Sequence, residues 1–159
     1  MKKTAIIITL ILGIIAVGVV WRVHRASSPQ QVDAAEFESD MTEALLRGIL
    51  PELQDAPVCF VAFGEGKTAP SLPFIARFAG SHPSVESFKS SAHPPGGKVF
   101  EISTGRTGVI VQIISLKEYV PGTFDVLVAF SNLPSGRDRF VYRISGMGGD
   151  WTIKSRKPE

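Results

Sequence analysis

Hydrophobic and polar positions divide this chain into three regimes. Residues Ala5–Trp21, AIIITLILGIIAVGVVW, are seventeen positions without a charge, between Lys2-Lys3 and Arg22-Val23-His24-Arg25. As a helix the stretch spans roughly 25 Å at 1.5 Å per residue, close to the ~30 Å of a hydrocarbon core. Trp21 stands at the boundary that an amphipathic ring favours, and Arg22 and Arg25 are placed to snorkel. The pattern predicts an N-terminal transmembrane helix within residues 1–25, a retained single-pass anchor with the following chain outside the cytoplasm. A signal segment cleaved after export is the alternative. Residues 26–32 read as a polar linker and 33–159 as one domain.

From Asp33 the period becomes helical. Phe37, Met41, Leu45 and Ile49 recur every fourth residue, with Glu38, Asp40, Glu43 and Arg47 at other angles. Asp33 and Glu36 form an approximate capping box, and Pro51 predicts an end near Ile49. Val58–Phe63 is an apolar run of strand length. Ser71 predicts the cap of a second, shorter helix carrying Phe74, Ile75 and Phe78, with Pro73 tolerated in its first turn. Residues 81–97 read as a long irregular connection.

The second half alternates with period two. Strands are predicted at Lys98–Ser103, Gly108–Tyr119, Thr123–Ser131, Arg137–Ser145 and Trp151–Arg156, separated by Gly- and Pro-rich turns. Phe124, Val126, Val128 and Phe130 share one side with Phe140, Tyr142, Ile144, Trp151 and Ile153. Asp125, Arg139, Arg143, Thr152 and Lys154 oppose them. The expectation is an α+β fold, two helices packed on one face of a curved antiparallel sheet whose other face is open. This element order over residues 33–156, ending in a Gly-Gly-x-Trp hairpin, resembles cystatin-like and NTF2-like domains and small membrane-anchored bacterial proteins. The resemblance implies no site residues.

Charge refines the picture. Four of the seventeen Lys and Arg flank Ala5–Trp21, leaving thirteen against fifteen Asp and Glu in the domain. A mildly acidic domain is a poor phosphate binder, so no nucleic-acid partner is expected. Seven acids and one base lie between Asp33 and Asp55, whereas six bases and three acids follow from Arg137 to Glu159. The basic positions Arg137, Arg139, Arg143 and Lys154, with Arg156 and Lys157, are the candidate partner-binding patch, for an acidic protein or anionic lipid headgroups.

Motifs for chemistry are weak. Gly64-Glu65-Gly66-Lys67-Thr68 follows a strand, but a P-loop needs a glycine where Val61 stands. His82, His93 and the single Cys59 fall short of a metal framework, and Cys59 alternates inward with Val61 and Phe63. No cofactor or metal is implied. The residues point to a membrane-anchored, non-catalytic binding module. The alternatives are a small pocket-type hydrolase or isomerase, or an accessory subunit acting through its apolar N-terminal helix.

Overall fold

The computed structural model describes residues 34–132 and 138–159. Its organising strand is β1, Val58–Phe63, apolar at every position and buried at every position. Such a run suits a strand covered on both faces and flanked by parallel neighbours. Strands β2 (Ser84–Ser87) and β5 (Gly108–Val120) lie parallel to it on either side. Strands β3 (Ser91–Ala92) and β4 (Phe100–Glu101) form a separate two-stranded ribbon. Antiparallel pairing then leads from β5 to β6 (Thr123–Ser131), β7 (Arg139–Met147) and β8 (Asp150–Pro158), giving the order β2-β1-β5-β6-β7-β8.

The expected α+β fold with a purely antiparallel sheet is therefore corrected to a mostly β domain built on one mixed sheet. The reason lies in the connections. Parallel strands need long crossovers, and the chain supplies two: 64–83 from β1 to β2, which carries a five-residue helix, and 88–107 from β2 to β5 on the far side of β1. The expected strand at Lys98–Ser103 is only β4, outside the main sheet. The expected irregular 81–97 stretch contains β2, a 3-10 turn at Phe88–Ser90 and β3.

Helix α1 (Asp40–Ile49) and helix α2 (Leu72–Ala76) supply the helical cover. Helix α1 buries Met41, Thr42, Leu45, Leu46 and Ile49. Its cap is Ser39, whose Oγ accepts the Thr42 N–H at 3.3 Å, rather than Asp33, which lies outside the described residues. Ser71 caps α2 by accepting the Phe74 N–H at 3.3 Å. The Glu38 carboxylate accepts the Ser71 N–H at 2.5 Å and its hydroxyl at 2.6 Å, joining the starts of the two helices.

Two cores follow from the alternation of β1. Cys59, Val61 and Phe63 join the larger one with α1, α2 and the inward residues of β5 to β8. Its aromatic spine runs Phe37–Phe63–Phe74–Phe78 with ring centroids 5.3, 5.6 and 5.6 Å apart. Val58, Phe60 and Ala62 point oppositely and pack with Ile110, Val99 and Phe88. The outer face of the sheet is thus covered at β1 and the start of β5, and among the described residues no helix or strand lies over it from mid-β5 to β8.

The transmembrane helix expected at Ala5–Trp21 lies outside the described residues. Among the described residues no helix is long and apolar enough to cross a membrane.

Gly108 packs closely against β1 on the side of the smaller core. A Cβ there would stand 2.6 Å from both the Phe60 ring and the Val58 carbonyl oxygen. Gly108→Ala is expected to destabilise the domain by about 1–3 kcal/mol, as overpacking does, read as a lower urea midpoint at unchanged slope. An unchanged midpoint would show that the Phe60 ring gives way freely.

Candidate functional site

The candidate site is the bare outer face, and β-bulges decide its membership. A bulge inserts one residue and re-aims its neighbours. On β8, Lys154 is the extra residue, since Ile144 pairs with Ile153 while Arg143 pairs with Ser155. Beyond it Arg156 pairs with Tyr142 on the core side, and Lys157 pairs with Val141 on the outer side. Arg156 therefore leaves the expected patch. Its guanidinium lies 3.8 Å from the Phe140 ring centroid and 5.5 Å from that of Tyr142, and it pairs with Glu52. The same locale buries the Tyr142 hydroxyl without a hydrogen-bond partner. Burial first, then the charge of Glu52, holds that phenol above its ordinary range, against the opposing pull of Arg156.

The remaining expected residues are distributed as follows. Arg137 lies outside the described residues. Arg139 is exposed and pairs with Glu159 at 3.4 Å. Arg143 makes a two-pronged contact with Asp125, Nε to Oδ1 and Nη2 to Oδ2, each 2.8 Å. Its guanidinium also stacks 4.0 Å from the Tyr119 ring centroid. Hydrogen bonds from Arg143 hold the Asp125 carboxyl below the usual carboxylate range, with smaller attractions from Lys157 and Lys117. The Asp125 bonds raise Arg143 in turn.

Two of the arginines are thus neutralised locally, and the uncompensated charge belongs to lysines. Among the described residues, Lys117, Lys154 and Lys157 meet no carboxylate within ion-pair distance. Between them lies a half-buried apolar pair, Leu127 opposite Val141. Lys117 and Tyr119 were not among the expected site residues. Alternation from Leu116, which packs on the core, was the available signal for Lys117. No residue pattern announces the bulge at Tyr119.

Other candidates resolve into structure. Gly64–Thr68 is a tight turn whose amides are used internally: Lys67 N–H donates to the Gly64 carbonyl at 3.2 Å and Thr68 N–H to the Phe63 carbonyl at 2.7 Å. Lys67 sits at φ 54°, its ammonium 5.5 Å from the Phe88 ring centroid. Among the described residues no three His, Cys, Asp or Glu side chains converge as metal ligands would. A cleft of about 400 Å³ lies between Glu52–Pro57 and the start of β5, with Lys98 and Asn132 at its rim. Glu52 is engaged by Arg156, and the Asn132 amide donates to the Gly108 carbonyl at 3.2 Å. Cys59 lies in the core, where burial pushes its thiol up to about 12.

No family model, characterised protein or solved structure matches this chain, so its function is read from its own residues.

Two outcomes follow. The native Cys59 thiol is expected to resist iodoacetamide at pH 8 for as long as the domain stays folded, and to react on unfolding in urea; native labelling within minutes would contradict its burial. Asp125, depressed in the folded state, stabilises the fold above the unfolded Asp value of about 4, and that stability is lost as pH falls through the folded value. The stability gap between the parent and Asp125→Asn, measured by urea unfolding, is therefore expected to be full at pH 6 and to shrink below about pH 4. A pH-independent gap would mean that the pair contributes through packing alone.

Proposed function

We propose that the domain is a non-catalytic interaction module whose open β5–β8 face docks an acidic protein partner. The observation that carries this reading is a four-strand face with no covering element among the described residues, holding an apolar centre at Leu127 and Val141 among three lysines outside ion-pair distance of any described carboxylate. Interfaces combine an apolar centre with a polar rim, and complementary charge steers encounter and fixes register.

The ion pairs choose the test. Reversing Arg143 would set a carboxylate beside Asp125 and disturb the fold, whereas Lys117 and Lys157 make no ion pair among the described residues and only weakly attract Asp125. Lys117→Glu with Lys157→Glu is expected to weaken binding of a glutamate-rich peptide at least tenfold, measured by fluorescence anisotropy at low salt. The equal charge change Lys89→Glu with Lys98→Glu, placed on the segment over the other half of the sheet, is expected to leave binding within twofold. Equal losses in the two variants would reduce the effect to net charge and sink the proposal.

A further inference from the structure

Resting on this docking reading, we infer that the face carries a specific apolar anchor site at its hairpin end, so that the acidic partner presents an aliphatic or aromatic side chain beside its carboxylates. Large hydrophobic side chains exposed at the surface are few among the described residues: Leu72, Ile102, Tyr119, Val120 and Met147. Three of the five gather at one end of the outer face. Tyr119 is 60 % exposed, Val120 48 % and Met147 85 %.

Their convergence comes from the register. Glu118 pairs with Phe124 and Val120 with Thr123, so Tyr119 is the inserted residue of a bulge. Tyr119 faces outward beneath Arg143. Val120, opposite Thr123, also faces outward, since Thr123 pairs with Ser145 next to the inward Ile144. Met147 follows by alternation from Ile144 and stands across from Asp150. The two hairpin ends touch. Gly146 N–H donates to the Gly122 carbonyl at 3.0 Å, and a Cβ on Gly122 would lie 3.7 Å from Met147 Cγ.

An exposed apolar patch bordered by charge marks a contact surface, and methionine adapts to varied partner shapes. Lys117, two residues from Tyr119, gives the patch a cation along the strand, and Lys157 continues the positive charge across the face. An acidic segment with one apolar side chain therefore meets both features at once.

The test uses the full chain and two peptides of equal length and charge. One contains only Glu and Ser; in the other, Leu and Phe replace some of the Ser. The Leu/Phe peptide is expected to bind about tenfold tighter, and Val120→Ser with Met147→Ser to remove that advantage while leaving the Glu/Ser peptide unaffected. Met147→Gln alone is the second variant should the pair disturb folding, checked by circular dichroism. Equal binding of both peptides to the parent chain would overturn the anchor. If Lys117→Glu with Lys157→Glu still weakened both peptides, the docking reading would survive that loss; if it weakened neither, the docking reading would fall first. Two further results would overturn the inference: Met147-dependent binding to phosphatidylserine-containing vesicles with no preference between the peptides, and a dimer that Met147→Ser dissociates.

Discussion

Burial of β1 on both faces is the constraint on which the rest of the domain depends. One strand of six residues serves two cores, so each core needs its own cover. The inward set is met by α1, α2 and the long hairpins; the outward set is met only by the segment around Phe88 and Val99. That second cover is short. It reaches Ile110 on β5 and goes no further among the buried residues of that cluster. The asymmetry between a fully covered face and a half-covered one produces the open surface, and the open surface is where the uncompensated lysines stand.

Much of this was legible in the residues. The stripe of Phe37, Met41, Leu45 and Ile49, the Ser71 cap and the facing of β6 and β7 all follow from periodicity, because each concerns neighbours in sequence. The mixed sheet was not legible, although its signal was present: Val58–Phe63 does not alternate, and a strand that does not alternate is buried on both faces. Which strands flank it is a long-range choice that periodicity does not encode. Bulges were the other blind spot. One inserted residue at Lys154 moves Arg156 from the outer face to the aromatic core side, and one at Tyr119 turns Val120 outward. A count that assumes strict period two misplaces every residue beyond such an insertion.

The charge asymmetry along the chain dissolves largely into local pairs. The acids of α1 meet arginines near them: Glu43 pairs with Arg47 and Arg77, and Asp40 pairs with Arg77. Among the described residues, only Glu52 with Arg156 joins the acidic first segment to the basic last one. Surface pairs of this kind add little stability individually, on the order of 0–1 kcal/mol, yet they decide which charges remain to attract a partner. The sequence offered Arg137, Arg139, Arg143 and Lys154; pairing engages Arg139 and Arg143 and leaves Lys154, joined by Lys117 and Lys157.

Edges narrow the remaining modes of recognition. A sheet binds a partner either by strand addition at an edge or across a face. Strand β2 offers only four residues, and β8 is interrupted by the Lys154 bulge, carries Lys157 and ends at Pro158. Short length, bulges, lysines and proline are the devices by which edges resist pairing. The same Lys154 bulge that blunts the edge sends Arg156 inward and Lys157 outward. A single insertion in β8 thus closes one route of association while it sets the charge on the other, which leaves the face as the surface best equipped to receive a partner.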